Sequence, residues 1–126
     1  MKRKLTILIA DRNAHVRELL RREMMAENHE VLVAKNSREI IQRAFQREPL
    51  DLLILDPDLP DAAETMLFQK LHDRIPALPI ILHAFSVEEA RHPALLKSAP
   101  VVEKSARSIE ALKELVARML NEKTSR

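Results

Sequence analysis

Residues 50–60 read LDLLILDPDLP, a short apolar run that stops at an acid. Residues 52–55 are too few for an ordinary helix and are flanked by Pro49 and Pro57. They therefore predict a strand covered on both faces, as in a parallel sheet. Asp56 follows at the carboxyl end of this strand, and Pro57 disfavours the helical conformation for it. Because ligands of open α/β sheets bind beyond the carboxyl ends of the strands, Asp56 is a candidate functional residue.

The remaining chain repeats the pattern of an apolar run followed by a helical stripe. Strands are also predicted at residues 5–10, 30–34, 80–84 and 101–103. One helix starts at Ala14 and a second starts after Asn36. The last carries an apolar stripe of Ile109, Leu112, Leu115, Val116, Met119 and Leu120. The predicted inner faces are Val16, Leu19, Leu20 and Met24 in the first helix, and Ile40, Ile41, Ala44 and Phe45 in the second.

The segment after the third strand predicts a further helix. Asp61 and Glu64 have the spacing of a capping box, and Met66, Leu67 and Leu71 form an apolar stripe. Pro93 falls where the fourth helix should continue, so that helix is either broken at Pro93 or begins there.

Strands that alternate with helices indicate parallel pairing, because parallel neighbours need crossover connections and these are right-handed. We therefore expect an α/β fold with a doubly wound, five-stranded parallel sheet of order 2-1-3-4-5. No linker or low-complexity segment interrupts residues 1–126, which predicts a single domain.

Composition excludes several classes of function. The chain has no glycine, which argues against glycine-rich phosphate-binding loops, and no cysteine, which fits a cytoplasmic protein. No apolar run approaches the roughly 20 residues of a membrane helix, so no membrane partner is expected. The basic residues are interspersed with acids, and Trp and Tyr are absent, so no nucleic-acid partner is expected either.

Three charged residues stand at predicted strand ends: Asp11 after the first strand, Asp56 after the third and Lys104 after the fifth. In the order 2-1-3-4-5, strands one and three are central neighbours, and the switch point lies between them. The two carboxylates and the lysine are therefore predicted to share one crevice.

With these residues in place, the chain resembles the receiver domains of two-component response regulators over essentially its whole length. The resemblance implies a flavodoxin-like receiver fold and a protein that is not an enzyme. The motifs that carry it are Ile7-Leu-Ile-Ala-Asp11, Asp51-Leu-Leu-Ile-Leu-Asp56 with Pro60 four residues later, Pro79-Ile-Ile-Leu, and Lys104-Ser105.

The resemblance also implies roles for the residues of the crevice. Asp56 matches the phosphoacceptor, which takes a phosphoryl group from a histidine kinase with Mg²⁺. Asp11 matches one of two acidic metal-site residues, and Lys104 matches the lysine that contacts the phosphoryl group. The backbone carbonyl of Asp58 matches a metal ligand.

Three departures from the family pattern affect this site. Arg12 replaces the second acid after the first strand, Ala84 replaces a hydroxyl residue, and Val101 replaces the aromatic switch residue. The usual three acids and one lysine carry a charge of −2, which suits a dication bound through oxygens. Here Asp11, Arg12, Asp56 and Lys104 sum to zero if all face inward.

Two arrangements of Arg12 remain open. Arg12 pairs with Asp56 and occupies the place of the metal, or it turns outward while the Asp58 side chain supplies the missing acid. Because a weakened metal site loses its main charge neutraliser, Mg²⁺-dependent phosphorylation is expected to suffer.

The leading hypothesis is a receiver-like module that acts by binding a histidine kinase or another signalling protein, with phosphorylation at Asp56 impaired or lost. The alternative is an ordinary receiver that a histidine kinase phosphorylates at Asp56. A third reading is an α/β hydrolase or phosphatase with Asp56 as nucleophile, for which Glu64 is the only candidate general acid.

For His83, beside the predicted crevice, a structural role is expected.

Overall fold

A computed structural model describes residues 4–86, 88 and 99–124 of the chain. The predicted fourth helix with Pro93 lies outside the described residues. The elements are β1 (Thr6–Ala10), α1 (Ala14–Ala26), β2 (Glu30–Ala34), α2 (Ser37–Ala44), β3 (Leu52–Leu55), α3 (Ala62–Thr65), α4 (Leu67–Asp73), β4 (Ile80–Ala84), β5 (Val101–Glu103) and α5 (Ser108–Thr124).

The described strands form one parallel sheet in the order β2-β1-β3-β4-β5, which confirms the predicted topology. β3 is central, and Ala10 at the end of β1 pairs with Leu55 at the end of β3. Every residue of β3 is buried, so the apolar run between the two prolines is covered on both faces as expected. None of the described helices combines the length and the apolar composition that a bilayer-spanning segment requires.

Helices cover both faces of the sheet, because alternate strand residues point to opposite sides. Leu8, Leu53 and Leu82 pack in one core, to which α2 and α4 contribute Ile40 and Leu67. The second core lies on the other face, where α1 and α5 cover the strands. It contains Ile7, Ile9, Ile54 and Ile81 together with Leu20, Met24, Leu112 and Val116 of these two helices.

Three apolar residues that were predicted to face inward are exposed. Leu19 of α1 is 43% exposed, and Phe45, which follows the last residue of α2, is 52% exposed. Met66 is 60% exposed and has left-handed backbone angles (φ 56°, ψ 39°) that separate α3 from α4. This break changes the helical phase, so Leu67 is buried while Met66 points away from the core.

The start of α2 confirms the cap predicted at Asn36. The Asn36 side chain accepts a hydrogen bond from the backbone N–H of Glu39 at 2.9 Å. The Glu39 carboxylate in turn accepts one from the backbone N–H of Lys35 at 2.8 Å. Two backbone donors at the helix entrance are thereby satisfied.

Asp61 does not cap its own helix, contrary to the capping-box prediction. Its side chain makes no capping hydrogen bond to α3, and Glu64 is exposed. The carboxylate instead accepts hydrogen bonds from the backbone N–H groups of Ser37 (2.9 Å) and Arg38 (3.3 Å) in the first turn of α2. Packing of α3 against α2 brings these unpaired donors within reach of the acid, which favours negative charge at a helix N-terminus.

Candidate functional site

Three charged residues lie at the carboxyl edge of the sheet, one residue beyond a strand in each case. Asp11 follows β1, Asp56 follows β3 and Lys104 follows β5. The backbone of each is held by the neighbouring strand, which continues the ladder one step past its last residue. The hydrogen bonds run from Asp11 N to Ala34 O (3.1 Å), from Asp56 N to Ala10 O (2.9 Å) and from Lys104 N to Ala84 O (2.7 Å).

The side chains of these three residues converge, as the strand order predicts. Lys104 Nζ lies 2.9 Å from Asp56 Oδ2 and 2.9 Å from Asp11 Oδ2. It donates a hydrogen bond to Asp56, whereas its contact with Asp11 is an ion pair outside hydrogen-bond geometry. All three side chains are at least nine-tenths buried, so their charges interact through a poorly screened medium. We call these residues the buried trio.

The two carboxylates are oriented in the same way by their own loops. Asp11 Oδ1 accepts a hydrogen bond from the backbone N–H of Asn13 at 2.8 Å. Asp56 Oδ1 accepts one from the backbone N–H of Asp58 at 2.9 Å. Each acid therefore turns its second oxygen towards Lys104. Asp11 Oδ2 is buried and accepts no hydrogen bond from the described residues, which leaves an oxygen with unused acceptor capacity.

Lys104 remains protonated in this environment. Burial would lower the pKa of its ammonium group, but the contacts with Asp56 and Asp11 outweigh burial and raise the pKa above its usual value. The ammonium also lies 4.8 Å from the centroid of the Phe85 ring, in a cation–π contact. The sequence analysis did not identify Phe85 as a site residue. Its position could have indicated one, because it is an aromatic residue directly after β4, the strand that pairs with β5.

Arg12 lies outside the buried trio and does not contact Asp56. Its guanidinium is 3.1 Å from Asp58 Oδ2, and the two side chains are 52% and 68% exposed. Of the two arrangements that the sequence left open for Arg12, the outward orientation is the one observed. Desolvation explains the choice, since a guanidinium keeps its hydration at the rim and would lose it beside Asp56. Because Asp58 pairs with Arg12, its side chain does not supply a third acid to the trio.

The side chains of this site offer only a few protein ligands for a magnesium ion. Among the described residues, no group of three or more acidic, histidine or cysteine side chains could hold a metal. Mg²⁺ is commonly bound through one or two carboxylates, with water completing its shell. Asp11 and Asp56 fit that pattern, and the unused acceptor of Asp11 Oδ2 is consistent with it. The buried trio carries a formal charge of −1, from two carboxylates and one ammonium group.

Residues 84 and 101, where the family pattern has a hydroxyl and an aromatic side chain, are apolar. Ala84 ends β4, is 3% exposed and belongs to the apolar core on the α2 and α4 face. Val101 begins β5 and packs, partly buried, against the core on the α2 and α4 face. A methyl group forms no hydrogen bond to a phosphoryl oxygen, and valine has no large ring to rotate.

Comparison with known proteins places the chain in a family. A family model, the response regulator receiver domain, matches residues 7–116. No curated protein matches the chain.

Solved structures with the same fold include two of TrrA from Thermotoga maritima. A response regulator TrrA bound to Mg(2+)-BeF is 28% identical, with a TM-score of 0.77 over 90% of this chain and 97% of that chain. TrrA in complex with the histidine kinase ThkA is 29% identical, with a TM-score of 0.77 over 92% of this chain and 98% of that chain.

A CheY-like receiver domain protein from Methanospirillum hungatei JF-1 is 22% identical, with a TM-score of 0.80 over 98% of both chains, and this similarity concerns the fold. The match of the family model spans most of the chain, including β1, β3 and β5 with the three strand-end residues. The chain therefore belongs to the response regulator receiver domain family of two-component signalling.

Proposed function

We propose that this receiver domain acts by binding partner proteins, and that Mg²⁺-dependent phosphorylation at Asp56 is impaired or lost. The observation that carries the proposal is the pairing of Arg12 with Asp58. A cation stands where the family has a second acid, and it pairs with Asp58, the acid of the adjacent loop that lies two residues after Asp56. The site is left with Asp11 and Asp56 as its acids.

Asp56 is the residue proposed to accept a phosphoryl group. One of its oxygens would form the new bond to phosphorus while the bond between phosphorus and the donor breaks. Asp58 N–H holds the carboxylate, and Lys104 would neutralise charge on the transferred group. A bound Mg²⁺, held by Asp11, Asp56 and the backbone carbonyl of Asp58, would add charge neutralisation at the phosphoryl oxygens.

Electrostatics support weak metal binding. The family pattern of three acids and one lysine has a charge of −2, whereas the buried trio has −1. Each missing charge lowers the attraction for a dication by an amount that grows as the local dielectric constant falls. Lys104 also contacts the Oδ2 atoms of both acids, so a cation has to compete with its ammonium group.

The apolar switch positions support weak coupling between phosphorylation and partner binding. A phosphoryl group shifts a conformational equilibrium only if some group binds it differently in the two states. Ala84 offers no hydroxyl for such a contact, and Val101 offers no ring. We therefore propose that partner recognition depends mainly on the unphosphorylated surface.

The complex of TrrA with ThkA supports a histidine kinase as one class of partner, and another signalling protein is the alternative.

We further propose that residues 1–126 form one receiver-like domain, since a single sheet contains every described strand. A cytoplasmic location and the absence of nucleic-acid and membrane partners stay predictions from composition.

Incubation with acetyl phosphate, with and without Mg²⁺, tests the proposal. Intact-mass spectrometry is expected to show little added phosphoryl group, and a conventional receiver domain treated in parallel serves as the positive control. Asp56→Asn identifies the acceptor, because any labelling at Asp56 disappears in this variant. Rapid, metal-dependent labelling that Asp56→Asn abolishes would overturn the proposal.

The second candidate is an ordinary phosphoaccepting receiver, and one observation favours it. Lys104 already holds Asp56, the proposed acceptor, in a hydrogen bond, and Asp11 lies 2.9 Å from the same ammonium group. The two candidates differ in the rate and metal dependence of labelling, so the same incubation separates them.

A further inference from the structure

A cavity of about 370 Å³ lies on the α1 and α5 side of the sheet, next to the buried trio. Its walls are mainly apolar side chains of α1 and of the start of α5, such as Leu20 and Ile109, and it opens beside Leu19 and Phe85, which are 43% and 71% exposed. Sites for small molecules commonly measure about 300–1,000 Å³ and are lined mostly by apolar groups with a few polar ones. The cavity therefore has the size and the lining of a small-ligand site.

His83 supplies an unused polar group to this cavity. The side chain is 4% exposed and lines the cavity from β4. Neither of its ring nitrogens has a hydrogen-bond partner within the described part of the chain. Buried polar atoms in native proteins are almost always paired, so a ring without a partner among the described residues can form a hydrogen bond to a ligand that enters the cavity.

The charge state of the surroundings restricts the ligand. Burial, and next the nearby Lys104, lower the pKa of His83 to about 4, so the ring is neutral at pH 7. Lys104 of the adjacent trio lines the cavity, but its ammonium group is already held by two carboxylates, and the trio carries a net charge of −1. An anionic ligand would meet this negative charge and lose its hydration among apolar walls, so a neutral ligand is favoured.

A hydroxyl group matches the neutral imidazole in either tautomer. One ring nitrogen donates and the other accepts, and a hydroxyl can do both. The exposed ring of Phe85 stands at the opening, where an aromatic ligand can pack in an offset or edge-to-face arrangement. A dry apolar cavity of about 150 Å³ already accommodates benzene, so this one has room for a substituted ring.

We propose that the cavity between α1 and α5 binds a small neutral molecule that consists of one aromatic ring with a hydroxyl group, which hydrogen-bonds to His83. This site shares Lys104 with the buried trio, but it does not include the carboxylate oxygens of Asp11 and Asp56.

Nuclear magnetic resonance of the full chain tests the site with three probes of similar shape: 4-methylphenol, p-xylene and 4-methylbenzoate. With 4-methylphenol we expect saturable amide shifts around Leu19, Phe85 and Ala106, and a shift of the His83 ring nitrogens. The hydroxyl should make 4-methylphenol bind about five-fold more tightly than p-xylene. Absence of saturable shifts at this cavity, or tighter binding of 4-methylbenzoate, would overturn the proposal.

Variants separate the hydrogen bond from the shape of the cavity. His83→Leu should remove the preference for 4-methylphenol over p-xylene, and His83→Gln should retain part of it. Leu19→Trp should block the opening and weaken both ligands alike. If His83→Leu still prefers 4-methylphenol over p-xylene to the same extent, the proposed hydrogen bond to His83 is wrong. If that variant does not fold, the wild-type ring-nitrogen shift decides: it must respond to 4-methylphenol and not to p-xylene.

Discussion

The guanidinium of Arg12 lies 3.1 Å from the carboxylate of Asp58, at the exposed rim of the site and away from Asp56. Arg12 therefore does not block the site sterically. It pairs with the acid two residues after Asp56 and places positive charge at the exposed rim of the site. Under the proposed function, metal binding is weak because negative charge is missing, and a single substitution can restore that charge.

Arg12→Asp is expected to raise the affinity for Mg²⁺ by about ten-fold or more, because it removes a cation and adds a carboxylate at the rim of the site. Isothermal titration calorimetry with MgCl₂ measures the change. Arg47→Asp makes the same change of charge in the exposed loop after α2 and should leave the affinity close to that of the wild type. Equal affinities for Arg12→Asp and Arg47→Asp would show that charge at this position does not limit metal binding.

Lys104→Met is expected to destabilise the fold by about 3 kcal/mol at neutral pH, since it leaves two buried carboxylates without their cation. Urea unfolding followed by circular dichroism measures the loss. The double variant Lys104→Met with Asp56→Asn should recover part of it, because one of the two like charges is gone. Lys70→Met, on the exposed side of α4, should stay within about 0.5 kcal/mol of the wild type. Full additivity of the two substitutions would contradict the buried ion-pair network.

His83 should make the folded state less stable in acid. Its pKa is lowered from 6.5 to about 4 in the folded chain, first by burial and then by Lys104. As the pH falls below 6.5 the unfolded chain takes up a proton that the folded chain does not, so stability is lost progressively until about pH 4. The loss attributable to His83 is about 2 kcal/mol at pH 4.5.

Urea unfolding at pH 7.5 and pH 4.5, for the wild type and for His83→Leu, isolates this contribution, since the other titrating groups are common to both chains. The wild type should lose about 2 kcal/mol more than the variant on acidification. Parallel losses in the two chains would mean that His83 is protonated without cost in the folded state.

Asp61→Ala should destabilise the fold by about 1 kcal/mol, because the carboxylate caps the first turn of α2 through Ser37 N and Arg38 N. Glu64→Ala removes the acid that the capping-box spacing pairs with Asp61, and it should cost much less because Glu64 is exposed. Thermal unfolding ranks the two variants. A larger loss of thermal stability for Glu64→Ala would show that the local capping box, and not the contact between α3 and α2, stabilises this region.

Local patterns were sufficient for the sheet and for the positions of the three charged residues. The run 52–55 had to be a buried strand, because a proline stands on each side and no polar residue interrupts it. Asp11, Asp56 and Lys104 stand one residue beyond their strands, and parallel strand ends meet at one edge. Their convergence therefore followed once the strand order 2-1-3-4-5 of a doubly wound sheet was assumed.

The role of Asp61 and the burial of Met66 were predicted wrongly, because they depend on helix packing and on backbone conformation. Asp61 had the spacing to cap α3, but the unpaired N–H groups of α2 lie across from it. Met66 had the spacing of a core residue, but a left-handed backbone conformation places it outside. Neither the neighbouring helix nor the break in the helical phase is encoded in the spacing of residues 61–71.

The sequence by itself determined which strands form, which charges end them and that no glycine-rich phosphate loop exists, because these depend on the identity and order of nearby residues. Only the tertiary structure decided which acid Arg12 pairs with and that His83 has no partner among the described residues. The physical reason is desolvation. When a side chain has several possible partners, the favoured pairing depends on how much hydration each one removes, and this loss of hydration is set by the packing of the helices and strands.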